Sequence, residues 1–436
     1  MTDVLGVDSS TQSCKALRVT PHGEVTQTGR APHPPGTEVH PEHWWEALLS
    51  AIHQAGGFDN VGAIAVAGQQ HGMVLLDENG DVLRPALLWN DTRSAAEAQQ
   101  LIDYFGAEFL THRTGSLPVA ALTSTKLLWV KNNEPETLSR IAAVCLPHDY
   151  LSWRLSEGYP NIETLFTDRS DASGTGYLNP TTGEYVAEIL DYCIGHPVVV
   201  PRVVSPFDVA AKVASQYADH SVVIGPGLGD NAAASLGLGL EHNQYAMSLG
   251  TSGTIFGPSM TVSADVSGEV SGFADGSGVY LPLVCTLNAA QVIDWGAQLL
   301  GVSLEEFSDL ALAAKPGAGG LRLTPYLAGE RTPNLPDATG VLEGITLGNG
   351  GRENFARACV EGVLSGMAYA RDVLVEAGHD VSRIVLIGGA ASSPAVGEVA
   401  RLILGGDVSV AEPAEYVALG AAKQAQWVIA SEGQTL

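Results

Sequence analysis

One local pattern occurs twice in the sequence, near the start and again past the midpoint. Residues 4–19 (VLGVDSSTQSCKALRV) read as a strand, a tight polar turn and a second strand, and residues 245–257 (YAMSLGTSGTIFG) repeat this plan. Apolar alternation around turns rich in Gly, Ser and Thr favours a β-hairpin at both places. A unit that occurs once in each half predicts two α/β domains of similar design, joined near residues 235–245.

Further strands and helices follow each hairpin. The turn at Asn79-Gly80 predicts a second hairpin in the first half, within MVLLDENGDVLRP. The glycine-rich segment LIGGAASSPAVGEVARLIL predicts a strand, a glycine turn and a helix, with Ser393 as the N-cap and Pro394 as the first helical residue. The other predicted elements are a helix over 40–57, a buried strand over 62–68, a long helix over 353–378, a buried strand over 383–390 and a closing helix over 416–430.

Length and charge exclude several classes of protein. A chain of 436 residues predicts two domains, and 22 Lys and Arg against 48 Asp and Glu give a net charge of −26, which repels nucleic acid and anionic membranes. No apolar run could cross a bilayer and no basic signal segment precedes one, so we expect a cytoplasmic protein without membrane or nucleic-acid partners. The five cysteines form no CxxC pair, which argues against disulfides or a zinc site.

An anionic ligand of so acidic a chain must be held by backbone N–H groups, helix N-termini or a metal ion. The turns in DSSTQSCK (8–15) and LGTSGT (249–254) can expose successive N–H groups to phosphate oxygens, although each alone could be an ordinary β-turn. The turn at 388–390 is either a plain strand-to-helix connection or bare backbone beside a flat ligand such as a purine. No segment matches the phosphate loop GxxxxGK[ST].

Two polar segments are candidates for binding a polyol. Gln69, Gln70 and His71 end a buried strand, and LLWNDTRS (87–94) combines an aromatic ring with polar neighbours. The alternatives are a structural histidine and a loop closed by an internal Asp91–Arg93 pair. A third candidate is Asp230, which follows three alternate glycines in GPGLGD and could be a helix cap, a metal ligand or a catalytic base.

Eight segments together identify a family. In chain order they are GVDSSTQSCK, AGQQHGMVLLDENGDVLRPALLWNDTRS, LPHDYLSWRL, SDASGTGYLN, GLGDNAAASLGLG, SLGTSGT, PYLAGERTPNLPDATG and LIGGAASSP. Along nearly its whole length the chain resembles the FGGY family of carbohydrate kinases. The resemblance implies an α/β fold of two actin-like, ribonuclease-H-like ATPase domains with a cleft between them. It places sugar binding and the first phosphate loop in residues 1–240 and nucleotide binding in residues 241–436.

The resemblance also implies an activity. WNDTRS and YLAGERTP favour the branch that transfers phosphate from ATP, with Mg²⁺, to D-xylulose, giving D-xylulose 5-phosphate in pentose catabolism. Kinases of L-ribulose, ribitol, L-xylulose or glycerol remain alternatives. So do an actin-like ATPase without sugar kinase activity and a non-catalytic sugar sensor. The family makes a homodimer an expectation.

Residue roles follow from the same resemblance. Asp230 matches the catalytic base, which a helix N-terminus would keep ionised. Asp8 acts beside it, and both would hold Mg²⁺. The chain departs from the family pattern at Gln70, where Met is usual, at Ala390, where a third glycine is usual, and at Ser392, where Lys is usual. The implied sugar-binding residues are Gln70, His71, Trp89, Asn90, Asp91, Arg93 and Asn231, and the implied nucleotide-binding residues are Ser10, Thr11, Lys15, Gly250, Thr251, Ser252, Gly388, Gly389 and Ser393.

Overall fold

The computed structural model describes residues 2–432, in which strands and helices alternate as an α/β fold. The strands are β1 (Asp3–Ser9), β2 (Ser13–Val19), β3 (Val25–Pro32), β4 (Glu38–Val39), β5 (Val61–Gly68), β6 (Val74–Leu76), β7 (Ala86–Leu87), β8 (Ala143–Cys145), β9 (Phe166–Asp168), β10 (Arg202–Val204), β11 (Ala211–Lys212), β12 (Val223–Ile224), β13 (Leu228–Gly229), β14 (Gln244–Leu249), β15 (Gly253–Phe256), β16 (Ser271–Ala274), β17 (Tyr280–Thr286), β18 (Arg322–Thr324), β19 (Val341–Glu343), β20 (Arg383–Ile387) and β21 (Asp407–Val410). The α-helices are α1 (Pro41–Gln54), α2 (Ala95–Phe105), α3 (Ala107–Thr114), α4 (Thr123–Asn133), α5 (Pro135–Leu138), α6 (Pro147–Leu155), α7 (Arg169–Ser173), α8 (Ala187–Cys193), α9 (Asp230–Leu238), α10 (Ala290–Leu300), α11 (Leu304–Ala313), α12 (Arg352–Glu376), α13 (Pro394–Leu404) and α14 (Tyr416–Glu432).

The predicted repeat is confirmed in the topology of the two large sheets. The first sheet contains the strand order β3-β2-β1-β5-β12, and the second contains β17-β15-β14-β20-β21. In both, the first two neighbouring pairs are antiparallel and the last two are parallel. Both predicted turns close hairpins, since Ser9 pairs with Cys14 and Leu249 pairs with Gly253.

Helices α9 and α14 connect the two halves. Helix α14 comes from the C-terminal end of the chain, yet it packs on α9 and on strands β1 and β5 of the first sheet. The buried cluster at this contact consists largely of alanines from both halves. Close packing needs glycine here, because a Cβ on Gly420 would lie 1.9 Å from the carbonyl oxygen of Ala233. The alanines that follow Asp230 therefore let α9 pack tightly.

The structure bears on the predictions for the hairpin at Asn79-Gly80 and for the cysteines. The chain reverses at Asn79-Gly80 as predicted, since Leu76 and Val82 form an antiparallel bridge and the backbone N–H of Leu83 donates to the carbonyl of Leu75. Strand β6 also pairs with the distant strand β8, a contact that the local sequence did not predict. All five cysteines are free, as predicted. Within residues 2–432, no helix is both long enough and apolar enough to cross a membrane.

Candidate active site

Two cavities meet at the turn between β14 and β15. One has a volume of about 370 Å³ and the other about 520 Å³, and Gly250 and Thr251 line both. Volumes of this size are typical of small-molecule sites. The first cavity is lined on one side by Gln70, His71, Trp89, Asp230 and Asn231, and on the other by Ser248, Gly250, Thr251, Ser252 and Arg331. The second is lined by Asp294, Glu305, Ser308, Gly389, Ala390, Ser392 and Ser393, among others.

Strand register brings the predicted catalytic residues to one edge of the first sheet. Ser9 of β1 pairs with Gly68 of β5, which in turn pairs with Gly229 of β13, and all three strands run parallel. Open α/β sheets bind ligands at the carboxyl ends of such strands. Asp8, Gln70 and Asp230 lie at or just beyond these ends and are therefore neighbours in space.

The alternate glycines before Asp230 each make room for a polar side chain. A Cβ on Gly227, which has φ +90°, would lie 2.2 Å from Cδ2 of His148. A Cβ on Gly229 would lie 2.8 Å from Nε2 of Gln70. Gly225 faces Gln424 of α14 in the same way, at 3.2 Å from its Oε1. The three glycines thus allow amide and imidazole side chains to pack against the backbone of residues 225–229.

Asp230 is the first residue of α9, and the N-cap position of this helix is occupied by Gly229, which has no side chain to make a capping bond. The interpretation of Asp230 as a capping residue is therefore wrong. Its Oδ1 accepts hydrogen bonds from the backbone N–H (2.8 Å) and from Nδ2 (2.9 Å) of Asn231. Nδ2 of Asn231 also donates to Oε1 of Gln70 at 3.0 Å, so the three side chains form one chain of hydrogen bonds.

The ionisation of Asp230 also differs from the expectation. Loss of solvent in the cleft raises the pKa of Asp230 to about 7, and the negative charges of Asp171 and Asp8 add to this shift. These effects outweigh the helix N-terminus, which would favour the ionised form. Asp230 therefore titrates near neutral pH.

Asp8 lies buried under the first hairpin turn. It accepts a hydrogen bond from the hydroxyl of Ser10, and the Lys15 ammonium lies 3.6 Å from its Oδ2. Burial raises the pKa of Asp8 despite both partners. Lys15 also pairs at 2.6 Å with Glu415, just before α14. Ser10 and Lys15 thus contact Asp8 in the first turn, whereas Thr11 bonds Gln69 and Trp89. None of these three residues, nor Asp8 itself, lines either cavity.

His71 is a neutral hydrogen-bond acceptor in the first cavity. Its Nδ1 lies 2.6 Å from the carbonyl oxygen of Gly174, which can only accept, so Nδ1 carries the proton. Burial lowers the pKa of His71 to about 3, and the positive charges of Lys126 and Arg331 contribute. The unprotonated Nε2 is therefore the nitrogen available to a ligand hydroxyl.

The second cavity is bounded by the glycine turn after β20. Gly388 has φ +91°, and its missing Cβ would lie 2.8 Å from the backbone of Leu249, so the turn packs on the second hairpin. Gly389 and Ser393 line the cavity, whereas Gly388 supports it from behind. Ser393 occupies the N-cap position of α13, as predicted, but makes no capping bond. Its hydroxyl instead bonds the hydroxyl of Ser308 at 3.2 Å.

The 87–94 loop contributes only one predicted residue to the cavity. Trp89 lines it, and its Nε1 donates to the hydroxyl of Thr11 at 2.9 Å. Asp91 and Arg93 pair with each other at 2.8 Å, and the Arg93 guanidinium lies over the ring of Trp129. Neither of these two residues, nor Asn90, lines the cavity, so the geometry favours the alternative of an internal ion pair.

A buried charged cluster, for which the sequence predicted no role, lies behind residues 225–229. Nδ1 of His148 lies 2.6 Å from Asp171, and its Nε2 lies 3.3 Å from Asp149 and 3.7 Å from Asp168. Burial alone would lower the pKa of His148, but these carboxylates raise it to about 10. The cluster contacts the segment before Asp230 through Ser170, whose hydroxyl donates to Asp168 and accepts a hydrogen bond from the N–H of Gly229.

Arg331 was also missed, although it lines the first cavity. Both omissions left a signal in the sequence. In LPHDYLSWRL and SDASGTGYLN, acids and a histidine stand among mostly uncharged residues, and YLAGERTP carries the arginine. Polar residues within buried helices indicate a network when several lie close in space, which the sequence does not show.

The two like sheets, the cleft cavities and the paired hairpin turns define a two-domain actin-like ATPase fold. The chain matches both domains of the FGGY family of carbohydrate kinases, the N-terminal domain over residues 4–237 and the C-terminal domain over residues 245–428. The chain therefore belongs to the FGGY family of carbohydrate kinases.

Individual relatives are similar along most of the chain. Xylulose kinase of Streptomyces rubiginosus is 43% identical, with 98% of this chain and 88% of that protein covered. Xylulose kinase of Escherichia coli is 35% identical, with 89% and 82% covered. The crystal structure of xylulose kinase from Bifidobacterium adolescentis matches with a TM-score of 0.91 at 45% identity, covering 99% of this chain and 93% of that one.

Proposed function

We propose that this kinase transfers the γ-phosphoryl group of ATP to D-xylulose, giving ADP and D-xylulose 5-phosphate. One observation carries the proposal: a sugar-sized cavity that contains Asp230 meets a second, larger cavity at Gly250 and Thr251. A phosphoryl group has to cross between its donor and acceptor at such a junction. The names of the relatives supply the choice of D-xylulose.

The first cavity offers the groups that a ketose requires. His71 can accept a hydrogen bond from a hydroxyl at Nε2, and the Gln70 amide and the Arg331 guanidinium can donate. Both N–H groups of the Asn231 amide already bond Gln70 and Asp230, which leaves its oxygen to accept. The Trp89 ring provides an apolar face against which carbon-bound hydrogens can pack. Together these groups would orient the sugar with one hydroxyl directed at Asp230.

Asp230 would accept the proton of that hydroxyl as it attacks the γ-phosphorus. With a pKa near 7, it is a base matched to neutral pH, which favours general-base catalysis. The backbone N–H groups of residues 250–252 would stabilise the transferring phosphoryl oxygens, because positioning and charge are most of what this reaction needs. Closure of the cleft would exclude water and limit ATP hydrolysis.

The two acidic residues of the site fit a Mg²⁺ ion. The negative charge of Asp8 contributes to the raised pKa of Asp230, and an oxygen-preferring cation would relieve that repulsion. Among residues 2–432, no three His, Cys, Asp or Glu side chains form a metal site of their own. Mg²⁺ commonly uses one or two carboxylates together with substrate phosphates, and it would neutralise phosphate charge here.

The test is an ADP-release assay with ATP and a panel of D-xylulose, D-ribulose, L-ribulose, L-xylulose, ribitol and glycerol. The proposal expects ADP release that depends on sugar and a kcat/KM that is highest for D-xylulose. A higher value for another acceptor would assign that substrate instead, and ADP release independent of any acceptor would indicate an ATPase. The domain division at residue 240, the homodimer and the cytoplasmic location stay predictions.

A further inference from the structure

A lysine without an acidic partner lies beneath the sugar cavity. Lys126 of α4 is 0% exposed, and it forms no ion pair with any described residue. Its Nζ donates instead to two carbonyl oxygens, that of His71 at 3.1 Å and that of Ala121. Burial lowers the pKa of Lys126 to about 7, although the negative charge of Asp91 opposes the shift. Burying such an amine without an ion pair is costly, so its position needs a reason other than general stability.

The first carbonyl belongs to a residue with a strained backbone. His71 has φ +68°, which side-chain-bearing residues rarely adopt and which persists only where the surroundings enforce it. The hydroxyl of Thr123 donates to the same carbonyl at 3.1 Å, and the imidazole is fixed by Gly174. Lys126 and Thr123 therefore hold the peptide that aims the imidazole.

The second carbonyl belongs to a different segment of the cavity wall. Ala121 and Leu122 line the same cavity as His71, although they precede α4 and are distant from β5 in sequence. The Lys126 Nζ has enough N–H groups to bond both carbonyls at once from a flexible four-carbon stem, which an apolar side chain of that length cannot do. Lys126 thus ties two separate cavity-lining segments together.

We propose that Lys126 is a positioning residue for the sugar, which fixes the His71 peptide against residues 121–122 and thereby directs Nε2 of His71 at the acceptor. Lys126 itself does not touch the substrate. This inference rests on the proposed role of the first cavity as the sugar site. It does not depend on which acceptor the wild-type enzyme prefers.

The test is Lys126→Met, which keeps the length of the stem and removes the donors. We expect the KM for the best acceptor of the wild-type panel to rise at least tenfold, while the KM for ATP changes less than twofold. Lys131→Met is the matched control. Lys131 lies on the same helix and donates to the carbonyl of Tyr192 at 2.5 Å, away from the cavity, so its loss should leave both KM values unchanged.

A double-mutant cycle separates positioning from general packing. If Lys126 acts through His71, Lys126→Met should add less than threefold to the KM of His71→Ala. Full additivity would overturn the proposal, and so would equal rises in the KM for acceptor and for ATP. If Lys126→Met does not fold, Thr123→Val removes the other donor to the same carbonyl, and an unchanged acceptor KM in that variant would overturn the proposal. Failure of D-xylulose in the wild-type panel would refute only the proposed substrate.

Discussion

Gly229→Ala is a perturbation of the active site whose effect can be worked from one contact. Gly229 has φ −66° and ψ 149°, values open to alanine, so the substitution introduces no backbone strain. Its Cβ would lie 2.8, 2.9 and 3.0 Å from Nε2, Cδ and Cγ of Gln70. Since ordinary carbon contacts lie at about 3.5–4.0 Å, the Gln70 side chain must retreat by roughly 0.5–1 Å.

That movement would break the hydrogen bond by which Gln70 holds Asn231, the residue that bonds the carboxylate of Asp230. A displacement of about 1 Å at a reacting group costs up to ~10²-fold in rate. We therefore expect Gly229→Ala to lower kcat roughly 10- to 100-fold, and overpacking to lower the free energy of unfolding by about 1–3 kcal/mol. Steady-state kinetics and denaturant unfolding measure the two effects.

Two further variants make this prediction refutable. Gly366→Ala places the same methyl group in open space within α12, so its kcat should equal that of the wild type. In a Gln70→Ala background the new methyl meets no side chain, and Gly229→Ala should then add almost nothing to the loss. A kcat of Gly229→Ala within threefold of wild type, or full additivity with Gln70→Ala, would refute the reasoning.

Three other predictions concern Asp230 and the cluster behind it. Asp230→Asn should still bind the acceptor but lose at least ~10²-fold in kcat, the usual range for a general base, and near-normal turnover would remove Asp230 from that role. Burial and neighbouring acids raise the pKa of Asp230 to about 7, and a base must be deprotonated to act, so kcat/KM should rise as pH increases through 7. More Mg²⁺ should shift this rise to lower pH. A rise in kcat/KM that lies below pH 5 at every Mg²⁺ concentration would contradict the assignment. His148→Phe should lower the free energy of unfolding by roughly 3–5 kcal/mol, because it leaves buried carboxylates without their cation, and denaturant unfolding near wild type would show that the charge is dispensable.

Elements with strong local signals were predictable from sequence. The hairpins at 8–15 and 249–254 combine apolar alternation with turn residues, and both formed where predicted. The resemblance supports the expectation that both loops face phosphate. Features that depend on distant partners were not predictable, because nothing near Val74–Leu76 indicates that this strand also pairs with the distant strand β8.

The ionisation of Asp230 could not be predicted from the sequence for the same reason. A helix N-terminus argues for an ionised Asp230, and that argument is sound for an isolated helix. The observed rise of its pKa comes from loss of solvent, from Asp171 and from Asp8, which are brought close only by the fold. For the loop around Arg93 the sequence allowed both sugar binding and an internal pair with Asp91, and the fold decides between them by placing the guanidinium against Asp91.

Helix α14 fixes the spacing of the two carboxylates on which the proposed chemistry depends. A Cβ on Gly6 of β1 would lie 2.1 Å from the carbonyl of Ala418 in α14, and Gly420 of α14 approaches Ala233 of α9 just as closely. Strand β1 carries Asp8 and α9 begins with Asp230, so both elements rest backbone to backbone on one helix. Any side chain larger than hydrogen at Gly6 or Gly420 would push one carboxylate away from the other. The distance between Asp8 and Asp230 is therefore set by small residues that never enter the cavity.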